Sequence, residues 1–303
     1  MSWLPSHVGE YPDAAELERA WRDLGTVWGR VGVAGTSVEG RSLPRYEFGR
    51  TDGPTVLLTG LIHAVELIGS VALLHFVREI VHKEHEILRH ARLVVLPILN
   101  PDSLHANQAR LTRGRRAFRR GNASGVDLNR NFPHLSRQSE AFNPLAGSRL
   151  RLSPYYGGPR PFSEPETRAV RDVALETKPQ VSIGFHSFGN LLLYPWGFTA
   201  TPNPRARSYE KIGQAFRGAQ PRTQYRVMQA RNLYTTTGDM DDWLDAELGT
   251  LAFTVEVSRP SFRVLRPSRL TNPFCWMNPQ DVRATVANST PGVSALVETA
   301  LAA

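Results

Sequence analysis

Among its 303 residues the chain has one cysteine, Cys275, and three lysines, Lys83, Lys178 and Lys211. A single thiol excludes an intramolecular disulfide and points to a reducing compartment. The N-terminal stretch MSWLPSHVGEYPDAAELERAW lacks a basic segment followed by an apolar core, so no signal peptide is expected and the localisation reads as cytoplasmic. There is no G-x-S-x-G elbow and no G-x-x-x-x-G-K-[ST] loop, which leaves serine hydrolase and P-loop readings unsupported. No repeat, low-complexity tail or linker divides the chain, so residues 1–303 are expected to form one domain. Thr55 to Val77 is apolar over about the length a bilayer needs, but His63, Glu66 and His75 fall within it and Gly60 and Gly69 interrupt it. It reads as a buried strand, a turn and a helix, and no membrane association is expected.

Cations exceed anions, 36 against 28, for a net charge of +8. Six of the arginines (Arg110, Arg113, Arg115, Arg116, Arg119 and Arg120) fall between Ala106 and Ser124, which holds no acid. Such a cluster with Phe118 inside it raises the prospect of a nucleic-acid-binding protein. No recognisable nucleic-acid-binding fold surrounds it, and nucleic acid is not the expected partner. The preference for arginine over lysine reads as a compositional bias.

Hydrophobic spacing predicts an α/β fold with a mixed, largely parallel central sheet and helices on both faces. Helices are expected at Ala14–Arg30, Glu66–Lys83, Arg205–Arg217 and Asp239–Glu247, and from Ser163 as N-cap through Thr177. An extended pair around the Glu39-Gly40-Arg41 turn ends in Tyr46 to Gly49. Buried strands are expected at Thr55–Leu61, Arg92–Leu99, Val181–Phe185, Leu191–Tyr194 and Leu251–Val257. Asn100-Pro101-Asp102 reads as a stop, followed by about 60 residues poor in regular structure. The tail from Gln280 reads as helical with a break near Pro291-Gly292.

Chemistry-bearing residues gather at predicted strand ends, where parallel sheets place their sites. GLIHAVE ends a strand and opens a helix, which brings His63 and Glu66 together, and His186 leaves another strand in GFHSFG. Two histidines and a carboxylate with an open fourth position suit a catalytic zinc ion. His82-Lys83-Glu84-His85-Glu86 also gathers ligand types but reads as a solvated helix end. Cys275 has no neighbouring base in sequence and reads as a buried structural thiol.

The chain resembles the zinc carboxypeptidase family, related to pancreatic carboxypeptidases A and B. The likeness rests on SVEGRSL at 37–43, HAVE at 63–66, LNPDS at 99–103, GVDLNRNF at 125–132, HSFGNLLLYPWG at 186–197, and LYTTTGDMDDW through FTVEV at 233–257. The resemblance implies a metallopeptidase that removes a C-terminal residue from a peptide with one zinc ion. His63, Glu66 and His186 match the zinc ligands, and Glu256 the general acid/base. Arg119 matches the arginine that polarises the scissile carbonyl, with Arg120 as the adjacent contender. Asn129 and Arg130 match the pair that grips the terminal carboxylate, and Tyr234 the tyrosine that closes over it. Asp241, with Asp239 two positions earlier, falls where members that cleave basic residues keep a pocket aspartate.

Departures accompany the match. Val65 stands where the family has an arginine, Phe188 where a tyrosine usually follows HS, and Ser103 where NPDG has glycine. No pro-segment is apparent. Two alternatives on the same metal set are a murein-peptide amidase acting beside diaminopimelate and an acyl-amino-acid deacylase. The oligomeric state is not legible.

Overall fold

A computed structural model describes residues 11–135, 145–259 and 271–303 of the protein. The first ten residues of the stretch searched for a leader, and 136–144 within the irregular segment, lie outside the described residues.

The chain opens with α1 (Ala14–Trp28), started by a capping box in which Asp13 accepts from the Glu16 amide and the Glu16 side chain accepts from the Asp13 amide. β1 (Arg30–Thr36), β2 (Ser42–Gly49) and β3 (Thr55–Gly60) follow, then α2 (Leu67–His82), α3 (Ile87–His90), β4 (Arg92–Leu96) and α4 (Pro101–Thr112). After a long loop come α5 (Pro165–Thr177), β5 (Val181–His186), β6 (Leu191–Tyr194), α6 (Ala206–Gly218), β7 (Arg226–Gln229), α7 (Met240–Leu248) and β8 (Leu251–Glu256). A short helix, Pro273–Met277, and a long one, Val282–Leu301, end the chain. No described helix is long and apolar enough to cross a membrane.

Among the described residues the strands form one mixed sheet in the order β1-β2-β4-β3-β5-β8-β6-β7. The central four, β4, β3, β5 and β8, run parallel. Their side chains alternate between two apolar layers, as the period of two requires. Val56, Leu58, Leu93 and Val95 pack with α1, α2, α6 and the C-terminal helix. Leu57, Val94 and Leu96 face Val170, Val173 and Leu244 of α5 and α7. Helices therefore cover both faces, as the spacing predicts. Every residue of β3 and β5 is buried, which explains why those strands read as continuous apolar runs.

Three local expectations are corrected. β4 ends at Leu96, three residues short of the expected Leu99, and Asn100-Pro101-Asp102 starts α4: Asn100 Oδ1 accepts from the Ser103 amide, 3.3 Å, and Pro101 takes the first helical position. The segment after β4 thus holds a helix of three turns. Glu164, not Ser163, occupies the cap position of α5, and the Ser163 hydroxyl instead donates to Glu164 Oε1, 2.6 Å. The C-terminal helix runs through Pro291 without ending. An interior proline costs about 3 kcal/mol, but Val286, Val293, Leu296 and Val297 are buried in the main core, and such side chains contribute roughly 1.5–3 kcal/mol each. Gly292 lets this helix approach the α6 backbone, since a Cβ there would sit 2.9 Å from Phe216 O.

Candidate metal centre and adjoining cavity

β3, β5 and β8 are neighbours, and the loops and residues at their carboxyl ends form the site. His186 and Glu256 are the last residues of β5 and β8 and pair in register. β3 ends at Gly60, three residues before His63. A turn with the Glu66 amide donating to His63 O, 3.0 Å, folds the two side chains onto one side. Asn278, fully buried, fixes that turn: its Oδ1 accepts from the Ile68 amide, 2.9 Å, and its amide donates to Val65 O, 2.8 Å.

His63, Glu66 and His186 are all buried, and their ligand atoms lie within 4.8 Å of one another. Glu66 Oε2 sits 3.0 Å from His186 Nδ1 and accepts from the Ser187 amide, 3.2 Å. Its Oε1 lies 3.0 Å from His63 Nδ1. Burial pushes the Glu66 carboxyl up, but His63 and His186 outweigh it and hold the group well below the usual carboxylate range. Its place at the N-terminus of α2 adds a favourable dipole. His63 Nδ1 is buried and makes no hydrogen bond. An imidazole nitrogen and a carboxylate converging on one point, with His186 beside them, fit a metal ion.

Asp127, which sequence reasoning left without a role, ties this set to an arginine. Its Oδ1 lies 3.1 Å from His63 Nε2 and accepts from the Asn129 amide, 3.0 Å. Its Oδ2 accepts from Arg120 Nε, 2.9 Å. Burial raises the Asp127 carboxyl, yet the charges of Arg120 and His63 keep it well below its ordinary value. This arrangement favours the His63 tautomer with the proton on Nε2 and Nδ1 turned to the metal. The available signal was a carboxylate inside GVDLNRNF, two positions before Asn129.

A cavity of about 330 Å³ adjoins the set and is lined by Arg120, Asn129, Arg130, Tyr234, Asp241 and Glu256. Arg119 does not line it. In the irregular run before GVDLNRNF the two neighbours diverge, as successive side chains do in extended backbone. Asn107 clamps the Arg119 backbone, its Oδ1 accepting from the amide and its amide donating to the carbonyl, both 2.9 Å. The Arg119 guanidinium donates to Ala123 O, 2.9 Å, while Arg120 Nη1 donates to Glu66 Oε1, 3.2 Å. Of the two contenders, Arg120 is therefore the one at the metal set.

Glu256 Oε2 is buried in the cavity wall without a hydrogen-bond partner. Burial pushes the Glu256 carboxyl up to about 8, with Glu66 and Asp241 adding to the rise and His186 and Arg120 opposing it. Asn129 Oδ1 accepts from the Met240 amide, 3.0 Å, which turns its NH2 to the cavity. Arg130 is 2% exposed, so its charge is fixed in place. Its guanidinium donates to Leu145 O and Asn129 O and lies 3.5 Å from the Tyr234 hydroxyl. Deeper in the cavity, Asp241 Oδ2 accepts from the Thr254 hydroxyl, 2.6 Å, and Oδ1 is buried and unpartnered. Burial lifts this carboxyl to about 7, the nearby charge of Asp239 adding to the rise and the Thr254 hydrogen bond and His186 opposing it.

Residues 29–272 match the zinc carboxypeptidase family. Carboxypeptidase B of Astacus astacus is 30% identical over 276 residues, covering 84% of this chain and 83% of that protein. The fold is shared with two solved structures. Bovine thrombin-activatable fibrinolysis inhibitor, in complex with tick carboxypeptidase inhibitor, has a TM-score of 0.79 and 20% identity over 98% of this chain and 99% of that one. Carboxypeptidase A from Helicoverpa armigera has a TM-score of 0.78 and 22% identity, over 95% and 72%.

Proposed function

The chain belongs to the zinc carboxypeptidase family, and on that premise we propose how its residues divide the removal of a peptide's C-terminal residue. His63, Glu66 and His186 hold one zinc ion, oriented through Asp127. When bound, the ion supplies Lewis-acid activation of water and carbonyl. Glu256 takes the proton of the attacking water and later delivers it to the leaving amine, a role suited to a carboxyl whose pKa is raised by burial. Arg120, rather than Arg119, stabilises the negative charge that develops on the scissile carbonyl oxygen. Asn129 and Arg130 bind the terminal carboxylate, for which a guanidinium fork is well shaped, and Tyr234 closes over it.

The observation that carries this reading is the unpartnered Glu256 Oε2 in the wall of the cavity that holds the metal set. An idle buried carboxylate oxygen costs stability, and a reacting water satisfies it. Asp241 extends the reading to substrate choice. Its unpartnered Oδ1 suits a C-terminal lysine or arginine, or the distal amine of diaminopimelate. A murein-peptide amidase remains within this description. An acyl-amino-acid deacylase would share the metal set, but its substrates need not demand Tyr234 and the Asn129-Arg130 pair. A reducing, cytoplasmic setting suits a chain whose single thiol, Cys275, is buried.

Release of amino acids from a mixed peptide pool, read by mass with and without chelator, tests the activity. Chelator-sensitive loss of only the last residue is expected, and internal cleavage overturns the reading. Glu256→Gln is expected to retain zinc by metal analysis while turnover falls by roughly 10²–10⁴-fold. A variant as active as the parent removes Glu256 from the mechanism.

A further inference from the structure

With Arg120 assigned to the catalytic cavity, five arginines of the cluster remain without a role. Arg110, Arg113, Arg116 and Arg119 line a surface groove with Phe118 and Trp276. Among the described residues none of these four arginines, nor Arg115, makes an ion pair. Elsewhere on the surface arginines do find carboxylates, as Arg45 with Glu176 and Arg50 with Asp52. The groove is built rather than draped. Asn107, buried at 1% exposure, holds the Arg119 backbone at two points. Asn272 Oδ1 accepts from the Ala117 amide, 3.3 Å, and Arg110 Nε donates to Arg116 O, 2.7 Å. Ala117 is fully buried while Phe118 beside it is 42% exposed.

At two points the groove and the catalytic cavity are lined by neighbours in the chain. Arg119 faces the groove and Arg120 the cavity, and Trp276 lines the groove where Met277 lines the cavity. A peptide seated with its terminal carboxylate on Asn129 and Arg130 and its scissile carbonyl at Arg120 must leave the cavity with its upstream residues.

We infer that this groove receives the segment upstream of the scissile bond and selects substrates in which that segment is acidic. The inference rests on the proposed carboxypeptidase activity for its direction: the cavity next door takes a peptide end, so an acidic peptide fits better than a nucleic acid. Arginines held without counter-charges gain from carboxylates placed along the chain, and Phe118 and Trp276 offer apolar surface between them.

The test compares three substrates with one C-terminal residue: a blocked dipeptide, a hexapeptide with four upstream glutamates, and the same hexapeptide with four upstream glutamines. The glutamate peptide is expected to have the lowest KM, by roughly five- to tenfold over the glutamine peptide at low ionic strength, and to lose the advantage as salt rises. Arg113→Gln together with Arg116→Gln, both exposed and outside the catalytic cavity, should erase that difference while leaving kcat and the dipeptide unchanged. Equal KM values in the parent, or an advantage untouched by the double variant, overturn the inference. Should none of the three be cleaved, the proposed activity fails by itself. Calorimetric binding of the two hexapeptides to the zinc-loaded chain then decides, and equal affinities overturn the groove assignment. Tighter binding of a single-stranded DNA of equal charge than of the glutamate peptide also overturns it, in favour of a nucleic-acid surface.

Discussion

Asp241 gives the cavity a titratable floor. Because its carboxyl ionises at about 7, a cationic substrate end meets a neutral acid below that pH and an anion above it. KM for a lysine-ended peptide should therefore fall between about pH 6 and pH 8, while KM for a leucine-ended peptide stays flat. A bound cation favours the ionised form, so the midpoint in the complex lies below that of the free protein. Asp241→Asn is expected to remove the preference for lysine over leucine by roughly 30-fold, on the order of 2 kcal/mol. Steady-state kinetics on the two peptides check both outcomes, and a pH-independent preference removes Asp241 from selection. Asp127 acts at the same scale but through His63. Asp127→Asn should weaken zinc binding by roughly 10- to 100-fold, measured by competition with a chelator, because an amide orients the imidazole less firmly. The candidate metal ligands and Glu256 were visible in the sequence because each sits in a motif where a strand ends or the following helix begins. Asp127 was not singled out, since its importance comes from two partners, His63 and Arg120, that only folding brings to it. The choice between Arg119 and Arg120 likewise turns on which side of an extended backbone each one faces.

Elements set the spacing of the ligands. α2 carries Glu66 at its start, and β5 carries His186 at its end. A Cβ on Gly69 would lie 2.7 Å from Phe185 O and 3.2 Å from the His186 amide nitrogen. Gly69→Ala should push helix from strand, lower stability by about 1–3 kcal/mol, and weaken zinc binding, whereas loss of neither quantity would show that the contact is slack. Thermal unfolding and metal titration of the same variant read the two effects. Strands and helices with strong periodicity were legible from the sequence within a residue or two, except β4, which stops three residues before the expected Leu99. The failures occur where one residue type serves two purposes. Asn-Pro-Asp reads as a stop yet starts α4, and Pro291 lies in a helix that tertiary packing carries past it. β7 was not foreseen: its four residues alternate too briefly to register, and it exists because β6 offers a parallel edge.

For the molecule as a whole, the parallel core brings to one edge residues that are far apart in the chain, from His63 to Glu256. His63, Glu66 and His186 are buried, so metal occupancy and global stability are coupled. With zinc at a hundredfold excess over its Kd, binding contributes about 2.7 kcal/mol. Removing it with a chelator should lower the thermal midpoint by roughly 5 °C, with recovery on adding zinc back. An unchanged midpoint would mean that the ligands are held equally well without the ion. The fold class was legible because alternating apolar strands and amphipathic helices dictate a layered sheet. The strand order was not, since it depends on which strands find each other across loops of any length.

The carboxylate of Asp127, shared by a metal-set histidine and an arginine, also settles a question of electroneutrality. With Glu256 ionised, the form that takes the proton of water, Glu66, Asp127 and Glu256 bring three negative charges to the centre, and Arg120 with a bound dication would bring three positive ones. The resting centre is thus balanced before substrate arrives, and the charge of the incoming peptide terminus is left to Arg130 alone. An Asp127→Asn centre would carry an uncompensated positive charge, and small anions should become competitive inhibitors of it while scarcely affecting the parent.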